Sequence, residues 1–353
     1  MTASAASSSL VIKEHRIQMI LLKLAMPLLA VFLALLIGAV IIALVGVSPL
    51  AAYSAMFRGA FGSVRSYTQA GIRTVPLLLI ALGLTLAFRS KVWNIGAEGQ
   101  FFMGALVTTW FALRFDSLPS FIMLPALLVV AFLGGAAWGL IPALLRAFLG
   151  ANEIVTSLLL NYVATLFVSY LVRVPMKDPA YYLPQSAPLP AAATIPLFPG
   201  TKLHVGIVLA LMCVPIVYMI LWKMPLGYYL RVVGSNPDAA RFAGISVSRT
   251  IIIAMLISGG LAGAAGMMEV TAVHHRLTAG ISPGFGYTAI VVALLGQLNP
   301  FGVLIAAYFF ASLVIGADSM QRLVGLPVSL TEVIQALVVL FVLASDYITR
   351  RWR

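Results

Sequence analysis

Apolar runs of about 20 residues recur along almost the whole chain, and they restrict the possible folds more than any other feature of the sequence. A run of this length crosses a hydrocarbon core of about 30 Å as an α-helix. The composition agrees, because 62% of the 353 residues are hydrophobic and 9% are charged. An average soluble domain has about 25% charged residues. The sequence therefore predicts an all-α polytopic membrane protein.

The apolar runs predict ten membrane-spanning helices in two halves. Seven prolines in the segment 174–202 exclude a helix interior or a central strand there, so this segment is predicted to be an external loop between the fifth and sixth spans. Two successive halves of five spans face opposite ways across the membrane, as in inverted-repeat transporters. The predicted spans lie near 22–47, 68–88, 94–113, 121–145, 153–172, 203–222, 250–270, 285–298, 300–317 and 327–345.

The distribution of charge predicts the orientation. The formal net charge is +12, and more than half of the 22 Lys and Arg residues fall on the side that holds the N-terminus, which the positive-inside rule assigns to the cytoplasm. These Lys and Arg residues lie mainly in the loops between apolar runs, so they indicate membrane topology and not nucleic-acid binding. The predicted regions are a cytoplasmic tail (1–21), a transmembrane domain (22–345) with halves 22–173 and 203–345, a cytoplasmic loop (223–249) and a basic cytoplasmic tail (346–353).

The polar loop 223–249 contains a short helix whose two ends are both specified. The pattern has an N-cap amide, a proline in the first helical position, an acid near the positive end of the helix dipole and a glycine for a left-handed stop. These roles belong, in order, to Asn236, Pro237, Asp238 and Gly244. Ala239, Ala240 and Ala243 predict a face with little side-chain bulk on which another protein could close. A solvated loop with a short helix is an equally supported interpretation.

Polar residues also occur at membrane depth near the start of the third span. In KVWNIGAEGQFFM, residues 91–103, Asn94 is predicted to cap the helix, with Glu98 and Gln100 in its first turns. A carboxylate at bilayer mid-depth costs about 2.5–3.5 kcal/mol on insertion scales. Glu98 is therefore expected near the interface, in a pair, or in a wet cavity. An acid in the first turn of a capped helix is the alternative.

Two further segments carry polar or interrupted helix patterns. In the fifth span Asn152 is predicted to be a cap, whereas Asn161 lies inside the span, where an amide needs partners that lipid cannot give. The segment 280–299 begins with a Gly/Pro loop and ends at a polar break, so it predicts an interrupted helix beside a pathway. Gly135/Gly139 and Gly259/Gly263 have the small-xxx-small spacing of packed helices.

The sequence lacks the parts of several enzyme classes. No lysine is followed by Ser or Thr, so a P-loop cannot occur, and ATP is expected on a partner chain only. There is no HExxH and no cysteine cluster, and the adjacent His274 and His275 are not expected to bind a metal. No cofactor is therefore predicted for this chain, and a transport role is favoured over a catalytic one.

Three stretches resemble one family: VWNIGAEGQFFMGA (92–105), NEIVTSLLLNYVA (152–164) and LRVVGSNPDAARFAGI (230–245). They look like the membrane permease subunits of bacterial ABC importers of the branched-chain amino acid/ribose-type superfamily, most similar to the general nucleoside (simple-sugar) permeases. The resemblance covers about residues 20–345. It implies a type II importer fold in the bacterial cytoplasmic membrane, with a cytoplasmic ATPase, a second permease subunit expected to be a different chain, and an extracytoplasmic solute-binding protein.

The resemblance also implies roles for individual residues. The ATPase-coupling segment would comprise Gly234, Asn236, Pro237, Asp238, Ala239, Ala240, Arg241 and Gly244. The path of a nucleoside or related small polar solute would comprise Asn94, Glu98, Gln100, Asn152, Asn161 and Tyr287. The alternative hypothesis is an ion-coupled secondary transporter in which Glu98, Glu269 or Glu332 titrates. That hypothesis gives the capped cytoplasmic helix no role.

Overall fold

The computed structural model of the chain describes residues 26 and 29–351, without the side chains at positions 328, 343 and 346–351. The predicted tail 1–21 lies outside the described residues, and so do the side chains of the predicted basic tail 346–353. The described residues form thirteen α-helices. Their bounds are α1 Leu29–Leu44, α2 Pro49–Phe61, α3 Val64–Arg89, α4 Ala97–Arg114, α5 Ser120–Leu149, α6 Glu153–Arg173, α7 Gly206–Lys223, α8 Pro225–Ser235, α9 Pro237–Phe242, α10 Val247–Met268, α11 Phe285–Leu295, α12 Pro300–Val324 and α13 Val328–Arg351.

The all-helical prediction is confirmed over the described chain, and each of the ten predicted spans holds a helix. Among the residues that the structure describes, six helices are long and apolar enough to cross a membrane: α3, α5, α6, α7, α10 with its continuation, and α12. The apolar parts of α1, α11 and α13 are shorter. The described part of the chain is thus helical with six candidate spans. The extra helix α2 lies within the segment 49–66, where the mixture of apolar and basic residues predicts an interfacial helix.

The chain divides into two compact units. In the first, residues 29–66 and 312–351, a core of small and medium apolar side chains forms around Ile42, Ala52 and Ile334. Close helix contact in this unit depends on glycine, because a Cβ on Gly316 would lie 2.8 Å from the backbone oxygen of Met56. The second unit comprises residues 67–311 and contains the solute-path and short-helix residues predicted above.

The second unit is built on a tight contact among α4, α5 and α10. A Cβ on Gly135 of α5 would lie 2.2 Å from the carbonyl oxygen of Gly259 of α10, and one on Gly263 would lie 2.2 Å from that of Ala131. A Cβ on Gly104 of α4 would lie 2.2 Å from the Cα of Gly263. Real Cβ atoms do not approach other atoms so closely, so these backbones meet because glycine occupies each position. The predicted packing role of Gly135, Gly259 and Gly263 is confirmed.

The chain between α10 and α12 is interrupted by non-helical residues before and after α11. Helix α10 continues into a π-helical turn, Glu269–His274, and ends at His275 with φ +54°. Helix α11 follows Gly284, which has φ +96°, and two residues in the left-handed region, Gln297 and Leu298, separate it from α12. The predicted interruption around 280–299 is therefore confirmed.

Candidate functional site

A cavity of about 360 Å³ lies in the second unit, where α4, α6 and α11 meet. Its polar lining comes from the first turn of α4, the middle of α6, the loop before α11 and the first turn of α11. The lining residues that carry polar groups are Glu98, Asn161, Tyr162, Thr165, Ser282 and Tyr287, and Phe102 adds an aromatic ring. Of the six residues predicted for a solute path, Glu98, Asn161 and Tyr287 thus converge on one cavity.

Glu98 links two helix N-termini beneath this cavity. Its Oε2 accepts a hydrogen bond of 2.6 Å from the backbone N–H of Gly286, in the first turn of α11, and the carboxyl group also accepts a hydrogen bond from the hydroxyl of Ser282. Glu98 is itself the second residue of α4, so the positive ends of two helix dipoles favour its negative charge. The side chain is 5% exposed, and its main evident role is to join α4 to α11.

Asn161 joins the same elements from the middle of α6. Its Oδ1 accepts from the N–H of Gly99 at 2.8 Å, and its Nδ2 donates to the carbonyl of Ile95 at 2.8 Å and to the hydroxyl of Tyr287 at 3.2 Å. The amide is 1% exposed. The partners that a membrane-depth amide requires are therefore backbone groups at the start of α4 and one cavity-lining hydroxyl.

Asn94 and Gln100 lie outside the cavity lining. Their side chains bond to each other at 2.8 and 3.0 Å, and Asn94 Nδ2 also donates to the hydroxyl of Ser258 on α10 at 2.9 Å. The prediction that Asn94 caps the helix is wrong, because Gly96 occupies the N-cap position. Asn94 Oδ1 instead accepts from the N–H of Gly96 at 3.1 Å, which shapes the turn that leads into α4.

Asn152 caps α6 as predicted, since its Oδ1 accepts from the N–H groups of Ile154 and Val155 at 2.9 and 3.4 Å. Nine residues of helix separate it from Asn161, a distance of about 14 Å at 1.5 Å per residue. It therefore lies outside the cavity lining. The neighbouring Glu153 is buried and forms an ion pair of 3.3 Å with Arg146.

The predicted solute path misses three polar residues of the cavity, Tyr162, Thr165 and Ser282. Thr165 stands four residues after Asn161, so helical spacing could have placed it on the same face. Ser282 belongs to the Gly/Pro loop, where its hydroxyl oxygen accepts from the N–H groups of Gly284 and Phe285 at 3.1 and 3.0 Å. These two bonds fix the turn that leads into α11 next to Glu98.

The short helix of the polar loop is a second site, and its predicted ends are confirmed. Asn236 Oδ1 accepts from the N–H groups of Asp238 and Ala239 at 2.9 and 3.1 Å, and Pro237 is the first helical residue. Gly244 has φ +78°, as a left-handed stop requires. Asp238 also forms an exposed ion pair of 2.6 Å with Arg241.

The predicted alanine face of α9 is wrong at one position. Ala240 is fully buried within the chain, whereas Ala239 and Ala243 are exposed. At about 100° per residue, positions four apart share a face and adjacent positions do not, so Ala240 cannot lie on the face of the other two. The outstanding exposed residue is Phe242, at 94%. Gly234 is buried too, since a Cβ there would lie 2.1 Å from the carbonyl oxygen of Arg89.

Comparison with known proteins shows the family. The model of the family described as the branched-chain amino acid transport system permease component matches residues 66–343. The chain belongs to this permease family. Relatives include the glucose ABC transporter permease protein TsgB13 of Haloferax volcanii, with 40% identity over 92% of this chain and 88% of the relative. The guanosine ABC transporter permease protein NupP of Bacillus subtilis is 35% identical over 93% and 94% of the two chains.

A third relative is the nucleoside ABC transporter permease protein NupB of Lactococcus lactis subsp. cremoris, which is 32% identical over 91% of this permease and 90% of its own length. The chain is thus a permease component of an ABC transporter and a multi-pass membrane protein. Its role is transport and not catalysis. The comparisons give no support to the ion-coupled alternative.

Proposed function

We propose that the permease forms the translocation path of an ABC importer for a nucleoside or a related small polar solute. The observation that carries this proposal is the cavity at α4, α6 and α11, where a carboxylate, a carboxamide, hydroxyl groups and aromatic rings converge. Such a set can bond the hydroxyls of a sugar while a ring stacks on a base. The relatives named for nucleosides and glucose are consistent with a solute of this size and polarity.

The cavity side of α6 is exposed in the single chain. Tyr162 is 61% exposed and Leu166 is 69% exposed, although both line the cavity. A solute path in a membrane must be shielded from lipid, since unpaired polar groups are costly there. We therefore infer that a second permease subunit, expected to be a different chain, completes the wall of the path. An extracytoplasmic solute-binding protein would deliver the solute.

We further propose that α9 docks on a cytoplasmic ATPase. The helix is capped at both ends, and Phe242 projects 94% exposed beside the exposed Ala239 and Ala243. Large aromatic side chains surrounded by small ones are typical anchors of protein interfaces. The proposal replaces Ala240 with Phe242 as the central contact, and it places ATP on the partner chain.

The proposed topology follows from the same assignment. If α9 faces the cytoplasm, ten spans arranged as two inverted halves of five, with both termini in the cytoplasm, agree with the distribution of Lys and Arg. The membrane is then the cytoplasmic membrane. The orientation is tested with single cysteines introduced by Ser235→Cys, at an exposed position beside α9, and by Thr201→Cys, in the loop 174–202. Each cysteine is labelled from either side of the membrane. Labelling of both from the same side would contradict it.

The proposed solute path is tested by uptake of labelled nucleosides, ribose and purine bases into cells that carry the permease with its neighbouring transport genes. Uptake is expected to stop when the P-loop lysine of the partner ATPase is changed to alanine. Tyr162→Ala should reduce uptake at least about tenfold, since it removes part of the cavity wall, a loss of about 1.4 kcal/mol. Tyr170→Ala is the matched control, because Tyr170 lies on the same helix at 56% exposure outside the cavity lining.

Two outcomes would contradict the proposal. Nucleoside uptake that survives the ATPase mutation would point to a different energy source. An equal loss of uptake in Tyr162→Ala and Tyr170→Ala would show that α6 acts through packing and not through the cavity. Folded protein must be matched among the variants, which size-exclusion chromatography in detergent measures.

A further inference from the structure

A second cavity, of about 500 Å³, lies in the same unit at the end where α3 and α5 finish and α10 begins. The turn after α3, the last turn of α5, helices α8 and α9 and the first turn of α10 all contribute to its wall. Because the candidate spans α3 and α5 end at Arg89 and Leu149, and α10 begins at Val247, the cavity lies at one membrane boundary. It shares no residue with the solute cavity.

The charged residues of this wall are all cationic. They are Lys91, Arg146 and Arg241, and none of the described residues that line the cavity is acidic. Glu153 and Asp238 pair with the two arginines from outside the lining, at 3.3 and 2.6 Å. Within the described part of the chain Lys91 has no acidic partner, so its ammonium group is available for an anion.

Backbone geometry adds to the positive potential. Val247, Ser248 and Ile251, all in the first two turns of α10, line the cavity, so the positive end of that helix dipole borders it. Lys91 itself is held at φ +55°, in the turn between α3 and α4. This turn places Lys91 at the wall of the cavity that the first turn of α10 also lines, although the two are far apart in sequence.

The remaining wall is largely apolar. Val92, Val233 and Ile251 supply hydrocarbon surface next to the cationic groups. A free, fully hydrated anion gains nothing from such a surface, whereas a phosphate attached to acyl chains can place its charge on the cations and its glycerol and upper chain against the apolar wall. Basic pockets between helix ends at the cytoplasmic boundary are typical sites for anionic lipid headgroups.

We propose that this cavity binds the phosphate headgroup of an anionic phospholipid such as phosphatidylglycerol. Lys91 is the main contact to the phosphate, with Arg241 and Arg146 as further donors. Because Pro237 and Arg241 of α9 belong to the same wall, the bound headgroup holds α9 against the ends of α3 and α5. That α9 in turn contacts an ATPase rests on the function proposed above, but lipid binding does not.

The test uses the full-length permease purified in detergent. Its thermal unfolding is measured with short-chain dioctanoyl phosphatidylglycerol, with dioctanoyl phosphatidylcholine and with inorganic phosphate. Phosphatidylglycerol is expected to raise Tm by at least about 2 °C, since a ligand that binds the folded state stabilises it. The other two probes are expected to change Tm by less than half of that amount.

Lys91→Asn is the main variant, because asparagine tolerates the left-handed backbone of this position and removes the charge. It should abolish most of the shift. Lys177→Asn is the matched control, since Lys177 is also exposed but lies in the loop 174–202, and it should keep the full shift. Arg241→Gln, at an exposed position, provides a second test if Lys91→Asn does not fold, and it should lose at least half of the shift.

Three results would overturn the proposal. An equal shift with phosphatidylcholine would indicate general lipid solvation. Inorganic phosphate that reproduces the whole shift would identify a free anion as the ligand instead of a lipid. An undiminished shift in the variants would place the lipid elsewhere. Native mass spectrometry supplies an independent measurement, in which phosphatidylglycerol should remain bound to the unmodified permease and dissociate from Lys91→Asn.

Discussion

The carboxylate of Glu98 accepts a hydrogen bond of 2.6 Å from the backbone N–H of Gly286, across 188 residues of sequence. A Cβ on Gly286 would lie 2.3 Å from the backbone nitrogen of Glu98, so the two first turns are in direct contact. The Glu98 side chain therefore has a structural partner that it meets only in the folded chain. This contact joins the start of α4 to the start of α11, at the base of the proposed solute cavity.

Replacing Glu98 with Gln is expected to lower the free energy of unfolding by about 1–2 kcal/mol. The amide keeps a hydrogen-bond acceptor but loses the negative charge that two helix N-termini favour. Thermal unfolding in detergent measures the change, and Glu332→Gln, at an exposed position, should change Tm by little. ATPase-dependent uptake by Glu98→Gln should show no altered pH profile. A lost pH dependence would revive a proton-coupled mechanism.

Replacing Asn161 with Leu should cost about 2–4 kcal/mol of stability. The substitution leaves the N–H of Gly99 and the carbonyl of Ile95 buried without their present partners. Tyr287→Phe removes one bond of the same group and is expected to cost about 1 kcal/mol. Denaturant or thermal unfolding of both variants checks the order. Equal effects would show that the backbone contacts of Asn161 contribute little.

Gly263→Ala should destabilise the second unit by about 1–3 kcal/mol or more, because its methyl group would lie 2.2 Å from the carbonyl oxygen of Ala131. The contrast is Gly150→Ala. No atom lies within 4 Å of the corresponding methyl there, and the cost arises from φ +66° alone, about 1–2 kcal/mol. The yield of monodisperse protein and its Tm measure both changes. A milder effect at Gly263 than at Gly150 would contradict the close helix packing.

Arginine substitutions separate folding from coupling on α9. Ala240→Arg is expected to reduce the yield of folded protein, since it places bulk and charge at a buried position. Ala239→Arg should leave the fold intact and reduce ATPase-coupled uptake, because Ala239 lies on the exposed face.

Phe242→Ala should weaken binding of the ATPase subunit, because it removes the large exposed side chain of α9. Phe148→Ala, at a residue that is 70% exposed on α5, is its control. Full coupling in both Ala239→Arg and Phe242→Ala would exclude α9 as the docking element.

The burial of His204 leads us to expect a fold that loses stability in acid. The residue lies in the loop before α7, its Nδ1 is buried without a hydrogen-bond partner among the described residues, and burial lowers its pKa to about 4. The unfolded chain, with a pKa near 6.5, binds more protons between these values, so stability rises with pH there and is lost as the pH falls from about 6.5 towards 4. The loss is at most about 3 kcal/mol.

Thermal unfolding between pH 7.5 and 4.5 measures this dependence. His204→Gln should unfold at a temperature that varies less with pH over the same range, because glutamine does not titrate. The matched control is His275→Gln, an exposed histidine in the segment after α10. It should retain the pH dependence of the unmodified chain. A pH profile that is unchanged by His204→Gln would assign the acid sensitivity to other groups.

The sequence alone determines the local features of this permease. Hydrophobic runs locate the helices, because each run must pair its backbone internally to enter a membrane. Caps and stops such as Asn152, Asn236 and Gly244 are also readable, since each acts on N–H groups or dihedral angles within a few residues of itself. The small-residue spacing on α5 and α10 predicts that these helices pack closely, although it does not name their partners.

Tertiary structure decides what each polar side chain does. Asn94 and Gln100 look like pathway residues in sequence, but packing against Ser258 buries them in their own network. Ala240 looks like part of a docking face, but it is fully buried in the folded chain, and Phe242 is exposed instead. Both outcomes depend on contacts between residues far apart in sequence. Local periodicity carries no information about such contacts, which is why the cavities and the α9 surface emerge from the folded chain.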